Sequence, residues 1–236
     1  MSFQIRPQQE FLVQPALPAA LARLSELAYN LLWVWEPNLR GMFRRLDPIA
    51  WRHSGHNPVL MLGQVPQASL VKAAADTRFL SLYKKACERL DAYMDSSTAA
   101  QSDKLIAYFS MEYGLAECLP VYSGGLGVLS GDHLKASSDL DLPLVGVGLL
   151  YQKGYLRQYL NQDGWQIEKS PENDFYTLPI RPVVQPDGSE LIVSVNLPTG
   201  VAYIKAWIIQ VGRVPLFLLD TNIPQNPASQ LRDITD

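Results

Sequence analysis

The 236-residue sequence is poor in metal-binding and disulfide-forming side chains: two cysteines, Cys87 and Cys118, and three histidines, His53, His56 and His133. Two thiols cannot build a disulfide framework or a zinc site, so no metal is expected and the setting is expected to be a reducing cytoplasm. Excess positive charge is missing too. With 20 Lys and Arg against 23 Asp and Glu, the formal net charge is −3, which excludes nucleic acid as a main partner because no basic surface neutralises phosphates. No apolar run approaches the ~20 residues that cross a bilayer, and the opening MSFQIRPQQE has no basic stretch leading into an apolar one. Neither a membrane partner nor a signal peptide is expected. What is present is 47% apolar, ample for the core of one large soluble domain or two small ones.

From Leu17 to Trp35 the apolar residues Leu17, Leu21, Leu24, Ala28, Leu31, Leu32 and Trp35 recur every three or four positions, which predicts one amphipathic helix ended by Pro37. Asp47-Pro48 reads as an N-cap and first-turn proline for a short helix through Trp51. After Asp76, the spacing of Leu80, Tyr83, Cys87, Leu90 and Met94 predicts a further helix. The run from Asp95 to Lys104 has no large apolar residue and cannot offset its own ordering by burial. The chain is therefore divided into a helical region (1–96), a linker (97–103) and an α/β region (104–236).

In that second region, a β-prone run at 104–109, a helical stretch at 126–140 and a second β-prone run at 143–150 predict two parallel strands joined through a helix. Asp163-Gly164 and Asp187-Gly188 then mark turns between further β-prone runs, and Pro198-Thr199-Gly200 and Gly212 punctuate two more. Val214–Asp220 reads as a buried strand of a parallel sheet followed by only 16 mostly polar residues. The sheet is expected to be unfinished there, with apolar surface left exposed.

The most informative stretch is Ser123 to His133. Gly124, Gly125 and Gly127 open the helix, where backbone N–H groups can approach an anion. A tight turn whose glycines serve only helix packing accounts for the same residues. Serine stands at the third glycine position of a dinucleotide fingerprint, so that reading fails. Glu112 lies just past a strand end, where open α/β sheets bind ligands, and serves either a site or the structure. Asp132 and His133 are neighbours about 100° apart on a helix and read as a packed or capping pair. His53 and His56 lack a third ligand and read as surface or core residues. Tyr155, Arg157 and Tyr159 form a strand face that could also stack on sugar rings.

Phe109-Ser110-Met111-Glu112-Tyr113-Gly114, then Tyr122 to Lys135, then Asn161-Gln162-Asp163-Gly164-Trp165-Gln166 resemble the N-terminal part of the α-glucan phosphorylases. Asn30–Trp35 and His53–Pro58 are similar to the extra helical region in front of the bacterial glycogen/maltodextrin type. The resemblance implies the start of a glycosyltransferase-B, Rossmann-like domain with a β-rich hairpin extension. It implies retaining phosphorolysis of α-1,4-glucan to glucose 1-phosphate, with pyridoxal phosphate acting through its phosphate. By position, Gly124, Gly125, Leu126 and Gly127 match the loop facing the glucosyl and phosphate groups, and Glu112 a glutamate near the glucose subsite. Val128 stands where many members carry a basic residue.

The family's cofactor lysine, its phosphate-binding cations and its glucose-binding histidine belong to segments beyond Asp236. No catalytic residue is therefore expected in this chain, which is expected to be inactive alone and to partner a missing C-terminal half or form a homo-oligomer. A stand-alone carbohydrate-binding or regulatory module is the alternative. A fragment of a glycogen or starch synthase is a further one, against which Asp163-Gly164-Trp165-Gln166 argues.

Overall fold

A computed structural model describes residues 16–95, 104–198, 200–226 and 234–235; the linker expected at 97–103 lies outside them. The first described part is helical: α1 Leu24–Tyr29, α2 Pro37–Leu46, α3 Pro48–His53, α4 Pro58–Gln64, α5 Gln67–Ala75 and α6 Thr77–Asp95. Prolines open α2, α3 and α4, where their fixed φ suits the first turn and their missing N–H is not needed. Asp47 Oδ1 accepts from the N–H of Ile49 (3.1 Å) and Ala50 (3.0 Å). Asn57 and Asp76 cap α4 and α6 the same way. Each cap stabilises its helix by about 1 kcal/mol.

The single helix expected over 17–35 is broken. A 3-10 turn at Ala19–Leu21, then α1, then a 3-10 turn at Leu31–Val34 follow one another, and Pro37 begins α2 rather than ending a helix. The break is at Asn30, which turns extended (φ −95°, ψ 115°). Its side chain accepts from Leu32 N–H (3.0 Å) and donates to Gly212 O (3.1 Å), while its backbone bridges Gln210 of the sheet. Leu21, Leu24, Leu27, Ala28, Leu31 and Leu32 are nonetheless buried together. Both helix types bring residues three or four apart to one side, so the apolar spacing locates the buried face without deciding continuity.

The second part holds α7 Gly125–Asp139 and the strands β1 Ile106–Phe109, β2 Leu144–Leu149, β3 Arg157–Leu160, β4 Gln166–Lys169, β5 Arg181–Pro182, β6 Ile192–Leu197, β7 Gly200–Val211 and β8 Val214–Asp220. The main sheet runs β1-β2-β8-β7-β5, with β6 also on β7. β1, β2 and β8 are parallel, and β7 is antiparallel to β8. The architecture is mixed α/β behind a helical region.

The expectation that the sheet stops unfinished at Val214–Asp220 is corrected. β8 is an interior strand, bonded to β2 on one side and to β7 on the other. Gly212, at φ 60°, lets a two-residue turn return the chain between Val211 and Val214, so the antiparallel strand covers the edge that a purely parallel sheet would leave bare. Among the described residues the parallel side of the sheet ends at β1, flanked by Leu105 (71% exposed) and ending in Phe109 (72%), while β5 and β6 form the opposite edge. The Asp163-Gly164 turn joins β3 to β4 as expected. Around Asp187-Gly188 the chain does turn back, with Gln185 N–H on Ser189 O, but β5 and β6 pair with β7 and not with each other. The 12 residues of β7 are long enough to carry both along one edge.

One apolar core runs from Leu21 in the helices to Leu218 in β8. Each fully buried leucine contributes about 1.5–3 kcal/mol of it. The β7–β8 turn is wedged between α6 and α7: Arg213 donates to Tyr93 O (2.8 Å) and Ser138 O (2.7 Å), and its guanidinium lies 4.0 Å from the Tyr93 ring centre. Tyr93 in turn donates to Asp139 Oδ1 (2.7 Å). This junction sets how the helices lie against the sheet.

Candidate functional site at the start of the glycine helix

β1 and β2 run side by side in one direction, and their carboxyl ends open toward the N-terminus of α7. Open α/β sheets place ligands at such ends. Two kinds of glycine meet here. A Cβ on Gly131 would overlap the carbonyl of Gly114, and one on Gly127 would come within 2.5 Å of Tyr122 Cβ and 3.2 Å of Glu112 Oε2. Gly114 N–H also donates to Gly127 O (2.7 Å). Gly127 and Gly131, one turn apart, thus form a notch that admits the backbone of residue 114. Gly124 and Gly125 differ: a Cβ on either would meet nothing within 4 Å. Neither has a positive φ, so these two glycines keep space open rather than relieve strain.

Glu112 closes the turn. Its Oε2 accepts from Ser123 N–H (2.5 Å), Ser123 Oγ (3.2 Å) and Gly124 N–H (3.4 Å). Chiefly through the Ser123 N–H, these bonds hold its carboxyl below the usual glutamate range. The carboxylate sits where an N-cap side chain would, although Gly124 itself has none to offer. Behind it, Ser110 Oγ donates to Glu112 O (3.0 Å) and pairs with Ser130 Oγ (2.8 Å), while Ser130 bonds Leu126 O (2.9 Å). These hydroxyls fix the strand end to the first turn of α7. Tyr113, buried beneath, donates to Tyr108 O (2.9 Å) and Val147 O (3.0 Å), and burial pushes its phenol up to about 12. Gly148 has no side chain because that ring occupies the space.

The N–H groups of Gly125 and Leu126 find no acceptor among the described residues. They are the first two amides of a 15-residue helix, at the positive end of its dipole. Beside the turn lies a pocket of about 310 Å³ bounded by Met111, Glu112, Tyr122, Ser123, Leu126, Lys153 and Tyr155. Tyr151 stands in its wall and donates to Met111 O (3.0 Å). The arrangement can donate to an anionic or carbonyl-type oxygen from the helix end and accept from a hydroxyl at Glu112.

Of the residues singled out from sequence, Gly124, Gly125, Leu126, Gly127 and Glu112 come together here. The others do not. His133 packs edge-on against Tyr108, 4.6 Å between ring centres, whereas Asp132 is exposed with Lys135 3.8 Å away. His53 ends α3, and His56 follows in a left-handed turn (φ 64°) with its ring 5.3 Å from that of Trp51, so the two share no helix face. Val128 is half exposed in the first turn of α7. Tyr159 and Trp165 lie exposed on the β3–β4 hairpin, and Tyr155 joins the pocket wall. Ser110, Ser130 and Tyr151 escaped sequence reasoning, since single hydroxyls carry no spacing pattern. Asp220 did too. It is buried at the end of β8, accepts from Asn222 N–H (2.9 Å), Gln152 (3.2 Å) and Trp207 (3.3 Å), and is pushed up by burial; a lone acid closing an apolar run was its only signal.

Residues 17–119 match a family described as "Protein of unknown function (DUF3417)". Over nearly its whole length the chain is also similar to curated enzymes. It is 44% identical to "Glycogen phosphorylase" of Mycobacterium tuberculosis, across 97% of this chain and 28% of the relative. It is 38% identical to "Maltodextrin phosphorylase" of Thermococcus litoralis (91% and 26%) and 38% identical to "Glycogen phosphorylase" of Aquifex aeolicus (86% and 29%). The chain thus spans little more than a quarter of the length of these relatives. Both the glycine turn and the helices in front of it fall inside the similarity, so nearly the whole chain corresponds to about a quarter of proteins named glycogen and maltodextrin phosphorylase, consistent with their N-terminal part.

Proposed function

We propose that this chain is the N-terminal portion of an α-glucan phosphorylase that releases glucose 1-phosphate with retention. It supplies one wall of the active-site cleft, and a glycosyltransferase-B partner half supplies the other. The observation that carries the reading is the pair of unpaired amides at Gly125 and Leu126 beside the Glu112 carboxylate, in a chain similar to phosphorylases along its length. The amides would receive oxygens of the glucosyl and phosphate groups, while Glu112 holds the turn in shape and accepts from a sugar hydroxyl. Such preorganised donors stabilise charge developing at a reacting centre without reorganising. The helices up to Asp95 would form a separate layer against this domain, and the bare edge of β1 would be covered by its remaining strands.

Pyridoxal phosphate, implied by the family resemblance, requires a lysine to hold it and cations around its phosphate. Of the described residues at the turn pocket, Lys153 is the only cation, and Glu112 stands with it. The residues present at this pocket do not make a cofactor site.

The test joins this chain to its proposed second half and replaces Gly125 by valine. The side chain enters open space, so the melting temperature should hold, while its two methyls keep an oxygen from reaching the retained amides and turnover falls by ~10²–10³, as when a preorganised donor is lost. Unchanged turnover would remove the turn from the site. Without the second half, the chain should release no glucose 1-phosphate from glycogen; release above a blank would refute the one-wall reading.

A further inference from the structure

A second and larger cavity, of about 840 Å³, lies on the other side of Tyr122, between α2, α3 and the segment from Gly114 to Cys118. Tyr122 lines both cavities, and no other residue is shared. Arg40 and Arg44 stand one turn apart on α2, and Arg52 comes from α3. Like charges at that spacing repel and destabilise a helix. Helix dipoles account for a cation in the last turn, as at Arg44 and Arg52, but not for Arg40 in the middle of α2 facing the same space. The side chains of Arg23, Arg89 and Arg213 all have carboxylates within 4 Å. Arg40, Arg44 and Arg52 make no ion pair with a described residue.

Glu117 is the one carboxylate among the lining residues, so three arginines and one acid line the cleft in a chain whose net charge is −3. The Cys118 thiol adds no charge, because burial pushes it up to about 12. The floor is buried Trp33 and Trp51, with His56 laid against Trp51 at the rim.

We infer that this cleft is a binding site for a phosphate group, carried on a sugar or free in solution, with Arg40, Arg44 and Arg52 as its ligands. Guanidinium is matched to phosphate because its planar fork donates two parallel bonds to adjacent oxygens, and three arginines lining one cleft from two helices suit a dianion. The rings of His56 and Tyr122 offer the flat surface a sugar would lie on. The site is separate from the glycine turn, so it stands or falls independently of the phosphorylase reading. Tyr122 packs against Gly127, which makes that residue the physical link between the two cavities.

The test is calorimetric titration of the 236-residue chain with inorganic phosphate and, separately, glucose 6-phosphate, at fixed ionic strength so that general screening is constant. Saturable binding is expected. Arg40→Gln with Arg44→Gln should weaken it at least about tenfold, or about 1.4 kcal/mol. Arg45→Gln, on the same helix but outside the cleft, should leave it unchanged. All three arginines are exposed, and an unchanged melting temperature will show that the variants fold. Tighter binding of glucose 6-phosphate than of phosphate supports a sugar-borne group, and equal binding supports free phosphate. Absence of saturable binding by both, or binding indifferent to the Arg40/Arg44 pair, overturns the site; the second result would place the phosphate elsewhere, for instance at α7.

Discussion

Replacing Gly131 by alanine places one methyl group on the backbone carbonyl of Gly114, and no rotamer change can relieve it because both partners are main chain. To accept the group, α7 must lift from residues 113–115, which stretches or breaks the Gly114 N–H to Gly127 O bond of 2.7 Å. Overpacking of this kind costs about 1–3 kcal/mol, and a lost hydrogen bond about 0.5–1.5 kcal/mol. Against that, alanine favours the helix interior over glycine by about 0.8–1 kcal/mol. The balance is a loss of roughly 1–3 kcal/mol, and in a chain of this size each kcal/mol lowers the melting temperature by about 2–4 °C. Gly125→Ala is the internal control: its methyl meets nothing within 4 Å, φ is not positive, and the change should be neutral or stabilising by up to about 1 kcal/mol. Urea midpoints of the two variants, read by circular dichroism, check the contrast. If Gly131→Ala is as stable as Gly125→Ala, the notch does not hold α7 in place and the division of the glycines into packing and open ones is wrong.

Other perturbations test the remaining joints. Glu112 has a carboxyl held low in the folded chain, so its contribution is present above the unfolded value near 4.3 and is lost as pH falls through the folded one. The stability gap between the wild-type chain and Glu112→Gln should therefore narrow as pH is lowered from 6 toward about 3; a gap independent of pH would mean the charge is not what closes the turn. Asn30→Ala removes the cap on Leu32 N–H and one of the two donors to Gly212 O, the Gln210 side chain remaining at 2.9 Å, so about 1–2 kcal/mol should be lost in chemical denaturation. Gly212→Ala should cost as much or more, since its φ is 60° and the added Cβ would overlap Ser138 Oγ and lie 3.0 Å from the Tyr93 ring. A melting temperature within 1 °C of wild type in either variant would mean that the wedge between α6 and α7 relaxes freely.

Local chemistry was legible in the sequence where a short-range rule governs it. Asp47 caps because an acceptor beside the first turn has only the free N–H groups of that turn to bind. Asp163-Gly164 turns because glycine reaches φ 81° at no cost. The buried face of residues 17–35 follows from apolar spacing alone. The glycines at 124–127 marked a candidate site without saying which of them leave space open and which serve packing. Only the tertiary structure decided that Gly125 opens space while Gly127 makes room for Tyr122, because that depends on which backbone passes by, and residue 114 approaches from a different element. Glu112 as a distant cap, the break at Asn30 and the interior place of β8 share one cause. Each rests on a partner outside its own element: Ser123 eleven residues on for Glu112, Gly212 for Asn30, and the parallel strand β2 on the far side of β8. Periodicity reports which side of an element is buried, and pairing across the fold decides what it is buried against.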